Sequence, residues 1–389
     1  MEVLFGIQKR LLEKVDLTHK RYLYEQIDWT QRLIQLTGQR GVGKSTLLLQ
    51  HIKQSDTKEQ ALYISADSLI LYKTPLHEIA LDHYQNGGRR LYVDEIHKYP
   101  DWSTAIKHIY DSLPELKIIY SGSSILELLK GNADLSRRAA TYHLEPLSFR
   151  EYLAFEKQLH YPTYSFKEIA SAKFNEDIEN PIFHFKRYLK SGIYPFYKEG
   201  LYEQKLLQVI NTIIEVDLLQ YFDLKASTVS KLKQLLQIIA ESVPFKPNLS
   251  KLAEKTGISR NLLSDYLKYL EKSGLIIQLP ATTKGIQAMG KAEKIYLSNT
   301  NLSYALTGEH QVNLGNARET FFLSQFQDKT QISIPPKGDF QLENLVVEVG
   351  GRNKDATQLK GIAHYILAKD NIEVAYKREI PLWQFGFLY

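Results

Sequence analysis

The chain has 389 residues, 43% hydrophobic and 24% charged, a soluble-globular balance in a chain too long for one ordinary core. It contains no cysteine, which excludes disulfides, thiolate zinc sites and cysteine nucleophiles together and suits a cytoplasmic protein. The net charge of +5 and pI near 8.9 are mildly basic, compatible with nucleic-acid contact without requiring it. No apolar run reaches the roughly 18 residues of a membrane span, and Met1 to Arg10 lacks the basic segment and apolar stretch of a secretory signal.

Ile34 to Leu36 leads into Gly38-Gln39-Arg40-Gly41-Val42-Gly43-Lys44-Ser45, which satisfies G-x-x-x-x-G-K-[ST] at every fixed position. Glycines are needed there because backbone N–H groups must approach phosphates closely and point at them. A helix expected over Ser45 to Ile52 adds the positive end of its dipole. Lys44 is expected to neutralise the β- and γ-phosphates, Ser45 to ligate magnesium, and Thr46 to complete the phosphate cradle.

Ala61 to Ser65, Arg90 to Val93 and Lys117 to Tyr120 read as short apolar strands, with helical patterns such as Trp102 to Leu113 between them. Alternation of this kind predicts an α/β nucleotide-binding domain over residues 1–150, a parallel sheet with helices on both faces. The strand Leu91 to Val93 ends in Asp94 and Glu95. Asp94 is expected to hold magnesium through its water shell and Glu95 to polarise the attacking water; without the glycine loop upstream, the same pair reads as an acidic strand end facing solvent. At the next strand end Ser121 and Ser123 are alternatives for a group that senses the γ-phosphate, in competition with a plain Ser/Gly turn. Arg137 and Arg138 are alternatives for an arginine acting on a γ-phosphate in the same or a neighbouring chain, with Arg40 and Arg150 as further candidates. His97 is expected to pack behind its strand. His108 and His143 have no partner at ligand spacing, so magnesium is the one metal expected.

Residues 151–240 read as a helical region, from Leu and Ile at helical spacing over Leu206 to Leu219 and Val229 to Ile239. Residues 241–310 carry a helix (Leu249 to Thr256), a glycine turn, a second helix (Ser259 to Ser273) and two strands (Leu275 to Leu279, Lys294 to Leu297), the winged-helix pattern. Between Lys246 and His310 nine Lys or Arg stand against five Asp or Glu. Arg260, Asn261, Lys268 and Lys272 fall on the second helix, Lys284 and Lys291 on the wing, so residues 249–294 are the candidate DNA contact; a protein-contact module is the competing reading. Residues 311–389 mix a helix (Ala317 to Phe326) with strands near Asp339 to Phe340 and Asn344 to Val349.

Taken together, GQRGVGKSTLL, YVDEIHKYPDW, IYSGSSILELL, the Ser136-Arg137-Arg138 run, Leu144 to Tyr152, Gly192 to Pro195 and Lys294 to Leu297 resemble the AAA-type ATPases of bacteria and archaea that carry a C-terminal domain of unknown function. The resemblance covers nearly the whole chain and is most specific in the P-loop and the DEIHKYPDW segment. It implies an AAA-type P-loop NTPase domain, a helical lid, a winged-helix segment and a small α+β tail related to the PD-(D/E)XK nucleases, and it favours Arg138 over Arg137. In the tail, Glu319, Asp339 and Glu348 match the acidic positions, whereas Gly350 stands where the lysine belongs and Lys354 lies four residues on, so loss of nuclease activity is expected. The function expected is an ATP-hydrolysing protein, with Mg2+, whose cycle repositions the winged-helix and tail segments, with DNA, a protein partner or a second copy as its target. A nucleotide-gated DNA-binding or regulatory switch with little turnover is the alternative, and a metal-dependent nuclease driven by the tail a third. Absence of an Asn/Thr-Lys-x-Asp signature leans the base towards adenine.

Overall fold

In the computed structural model, residues 1–55, 58–122, 135, 137–222, 224–242, 244, 249–282 and 292–389 are described. The chain forms two compact units, Met1–Pro146 and Leu147–Tyr389.

The first unit opens with α1 (Glu2–Lys14) and then alternates β1 (Leu33–Gly38), α2 (Lys44–Gln54), β2 (Ala61–Ser65), α3 (Leu76–Gln85), β3 (Arg90–Asp94), α4 (Trp102–Ser112), β4 (Lys117–Ser121) and β5 (Ala140–Leu144). The strands lie in the order β2-β3-β4-β1-β5, and every pairing is parallel. This is the α/β sheet of a P-loop NTPase. Parallel neighbours need crossover helices, which cover the sheet and bury its strands on both faces. All six residues of β1 are accordingly buried, and Leu33, Leu62, Ile64, Leu91, Val93 and Ile118 share one core with Ile106 and Ile109 of α4. Because the strands run the same way, their carboxyl ends fall along one edge, where α/β folds build ligand sites.

The second unit begins at α5 (Phe149–Lys157), started by a capping box in which Ser148 and Glu151 satisfy each other's backbone. Helices α6 (Phe166–Ala170), α7 (Pro181–Lys190) and α8 (Tyr202–Thr212) follow. The last passes through a π-turn at Ile213–Asp217 into α9 (Leu218–Phe222) and is succeeded by α10 (Ala226–Ser242). Next come α11 (Leu249–Thr256) and α12 (Arg260–Lys272), joined across Gly257 with φ +62°, then the antiparallel pair β6 (Ile276–Leu279) and β7 (Lys294–Leu297). Finally α13 (Thr300–Thr307) and α14 (Leu314–Ser324) precede a mixed sheet of β8 (Ile332–Ser333), β9 (Phe340–Leu342), β10 (Leu345–Gly350), β11 (Tyr365–Lys369) and β12 (Glu379–Pro381), ordered as numbered.

One polar node ties this unit together. The buried Asn301 amide donates to the carbonyls of Tyr188 and Leu189 at 3.0 and 2.9 Å. Its oxygen accepts from the N–H groups of Gly192 and Ile193 at 3.1 and 3.0 Å, and from the Tyr202 hydroxyl. Among the described residues, no helix is long and apolar enough to cross a membrane.

Candidate nucleotide site

The glycine loop joins the end of β1 to α2. Gly43 caps that helix at φ +98°, a left-handed conformation that a side chain disfavours, and Gly41 stands at +85°. A Cβ on Gly38 would lie 2.5 Å from the Leu144 carbonyl oxygen of β5, so the loop leaves its strand without room for a side chain. Val42 is wholly buried. The Arg21 guanidinium, itself buried, donates to the Val42 carbonyl and, at 2.7 Å, to that of Glu145. Lys44 is folded back onto the loop: Nζ donates to the carbonyls of Gly38 and Gln39 at 2.9 and 2.8 Å. Ser45 is half-buried, and Thr46 is exposed at the first turn of α2.

At the same edge, β3 ends in Asp94, 3% exposed. Its carboxylate accepts from the Tyr63 hydroxyl of β2 at 2.7 Å, from the Ser121 hydroxyl of β4, and from the Glu95 N–H at 3.0 Å. The parallel register explains the convergence, since Ser65 pairs with Asp94 and Val93 with Tyr120, which aligns the strand ends. Burial, and then the Asp94 charge, push the Tyr63 hydroxyl far above its usual range, so it keeps its proton and serves as a donor. Of about four acceptor positions on a carboxylate, three are filled. One remains on Oδ2.

Glu95 follows at φ +53°, an uncommon and costly conformation for a side-chain-bearing residue. Its Oε2 lies 3.8 Å from Arg40 Nη2, 3.6 Å from His97 Nε2 and 3.5 Å from Lys98 Nζ. Lys98 also reaches Asp67 at 2.7 Å. His97 is buried, and burial pushes its imidazole down to about 4, so it is neutral at ordinary pH.

The structure thus brings Gly38 to Thr46, Asp94, Glu95 and Ser121 to one sheet edge. Two of the expected site residues have partners of their own in this structure. Ser121 is completely buried and its hydroxyl donates to the Asp94 carboxylate. Arg138 precedes β5, whose first residue Ala140 pairs with Ile34, whereas the phosphate loop follows Gly38, opposite Leu144. Four residues of extended chain span roughly 13 Å, and the Arg138 side chain lies against Asp111 at the end of α4. Ser123 lies outside the described residues. Arg150 donates to the carbonyls of Tyr389 and Tyr161 within the second unit. Tyr63, Arg21 and Lys98 were not legible as site residues. The aromatic in ALYIS reads as core, Arg21 carries no motif, and Lys98 lies in DEIHKYPDW without a role assigned from sequence.

In the second unit, Arg260, Asn261, Lys268 and Lys272 are exposed on α12, while Lys284 and Lys291 lie outside the described residues. The tail gathers Glu319 of α14, Asp339 and Glu348 of β10. Lys294 Nζ stands 3.3 Å from Glu319 Oε2 and 3.7 Å from Asp339 Oδ1, and Tyr296 donates to Glu319 at 3.1 Å. Burial beside Asp339 lifts the Glu319 carboxyl to about 7. Lys354 does return to the strand: a turn, with its N–H on the Gly351 carbonyl, brings Nζ 2.5 Å from Glu348 Oε1. Its aliphatic stem fills the place of a side chain at 350, since a Cβ on Gly350 would lie 2.5 to 2.9 Å from it. Among the described residues no three His, Asp or Glu side chains gather to hold a metal ion. Two ammonium groups, those of Lys294 and Lys354, lie among these three carboxylates.

Residues 30–153 match the family described as an AAA domain, and residues 182–313 match a domain of unknown function, DUF8612. An uncharacterized protein of Methanocaldococcus jannaschii is 28% identical over 372 residues, covering 85% of this chain and 77% of its own. Among solved structures, a Walker-type ATPase of Pyrococcus abyssi superposes with a TM-score of 0.47 at 17% identity, over 74% of this chain and 95% of that one. AMPPCP-bound DnaA from Aquifex aeolicus gives 0.30 at 14%, over 64% and 84%. Superpositions this loose carry no chemistry. The match over residues 30–153 makes the first unit similar to AAA domains.

Proposed function

We propose that the AAA-type P-loop unit binds ATP and hydrolyses it, and that this turnover serves the second unit, residues 147–389. The observation that carries the reading is the meeting, at one sheet edge, of the Gly38–Lys44 loop with the Asp94–Glu95 strand end. Loop N–H groups and the Lys44 ammonium take the phosphates, with Lys44 exchanging two carbonyl acceptors for phosphate oxygens. Ser45 and the open position on Asp94 form an all-oxygen donor set suited to magnesium. When bound, that ion offsets charge on the β- and γ-phosphates. Tyr63 and Ser121 fix the Asp94 carboxylate. Glu95 is the base that orients water towards the γ-phosphate.

The test is nucleotide turnover by the full chain with magnesium, with and without DNA. Lys44→Ala is expected to lose binding; Glu95→Gln is expected to bind ATP yet cut turnover at least 100-fold. Binding without turnover in the wild type itself would hand the protein to the other reading, a nucleotide-gated switch, which the exposed basic face of α12 favours.

Within the second unit, residues 249–297 are read as winged-helix-like and the terminal sheet as a nuclease-like frame whose lysine has moved to 354. The frame is taken as non-cleaving. Magnesium-dependent nicking of supercoiled DNA that disappears in Asp339→Ala would reverse that.

A further inference from the structure

The surroundings of Glu95 hold more than its expected role uses. His97 and Lys98 belong to the short 3-10 turn Ile96–Lys98 that follows Glu95 directly, and Lys98 is anchored besides on Asp67. They lie on the same segment as the carboxylate. Arg40 differs in origin: it sits in the phosphate loop, between Gln39 and Gly41, and crosses to Glu95 from there. At 3.8 Å the two charges attract without a close hydrogen bond. Both side chains are largely covered, 22% and 17% exposed, so the attraction is only partly screened.

A residue in that position has two possible anions. Before nucleotide arrives, Glu95 offers one negative charge. A terminal phosphate offers roughly two, with oxygens that a guanidinium can grip in bidentate fashion. The stronger anion takes the arginine. Resting on the nucleotide reading above, we infer that Arg40 is exchanged between Glu95 and the terminal phosphate of a bound triphosphate, so that arrival of the third phosphate releases the carboxylate to act on water. A diphosphate lacks the group that draws Arg40 away and leaves Glu95 held. Arg40 is thus a positioning residue that reports which nucleotide is present, and the strained backbone at Glu95 is consistent with a side chain that must change partners.

The experiment is a double-mutant cycle on affinity. Calorimetry on the full chain with magnesium measures Kd for a non-hydrolysable methylene analogue of ATP and for ADP, in wild type, Arg40→Gln, Glu95→Gln and the double variant. Glu95→Gln removes the competitor for Arg40, so it is expected to tighten the triphosphate about fivefold more when Arg40 is present than when it is Gln. The same cycle on ADP is expected to show no coupling. Additive effects on the triphosphate, or equal coupling with both nucleotides, overturn the inference while leaving nucleotide binding intact. A wild-type chain that binds neither ligand removes the nucleotide reading, and this inference with it.

Discussion

Tyr63→Phe isolates the group that most directly fixes Asp94. The substitution deletes one hydroxyl and keeps the ring, which is 7% exposed and packed within β2. The lost bond is short, 2.7 Å, and its acceptor is a carboxylate that is 3% exposed. A hydrogen bond to a charged group contributes about 1.5–3 kcal/mol, and no solvent can easily replace the donor. A loss of about 2 kcal/mol is expected. For a unit of this size that lowers the melting temperature by about 4–8 °C. Thermal and urea unfolding followed by tryptophan fluorescence read it, because Trp29 and Trp102 both lie in the first unit. The effect should stay constant from pH 6 to pH 9, since the Tyr63 hydroxyl is held well above its usual range. Ser121→Ala should not add fully to it, because both hydroxyls serve one carboxylate. A change under about 0.5 kcal/mol, or strict additivity of the two substitutions, would refute the view that strand-end hydroxyls hold Asp94 in place.

Further outcomes follow from buried groups elsewhere. Burial holds His97 down to about 4 and His51 down to about 3, both below the ordinary 6.5. Between those values and 6.5 the unfolded chain binds more protons than the folded one, so stability of the first unit, fully present above pH 6.5, falls as pH drops towards 4. Unfolding measured across that range should show the slope, and His51→Phe, which leaves a ring stacked on Trp29, should flatten it. Asn301→Ala strands two buried N–H groups and two carbonyls, and is expected to cost roughly 3 kcal/mol or more in urea unfolding of the second unit. Lys354→Met leaves Glu348, 1% exposed, without its ammonium partner. A loss of about 3–5 kcal/mol is expected at neutral pH, shrinking in acid as Glu348, whose carboxyl burial already raises, takes up a proton.

The first unit was legible in the sequence because its signals are local. Short apolar runs between amphipathic helices define a parallel sheet, and GQRGVGKS marks the loop between its first strand and the next helix before any contact is known. Asp94 and Glu95 were readable for the same reason, as two charges at the end of an otherwise apolar strand. What surrounds them was not readable. The link from Tyr63 to Asp94 spans 31 residues and depends on strand register, and Arg21 reaches the loop and Glu145 across 21 and 124 residues. No spacing rule reports such pairs. Arg138, offered by the sequence as an arginine for a γ-phosphate in the same or a neighbouring chain, pairs in this structure with Asp111. The parallel return of the chain carries it to the other end of the sheet. In the tail, a glycine in place of lysine reads as a deletion, and only the folded turn reveals that Lys354 occupies the vacated volume.

That borrowed lysine has a consequence of its own. A cation carried on a strand has its backbone fixed by ladder hydrogen bonds and can leave its carboxylate only by rotating its own side chain. Lys354 instead arrives on a short lever that pivots at Gly351, the residue after β10, which lacks a side chain. Swinging the lever outward would bare the Glu348 anion while every pairing of β10 stayed intact, so occupancy of this position is decided by a turn and is independent of the fold beneath it.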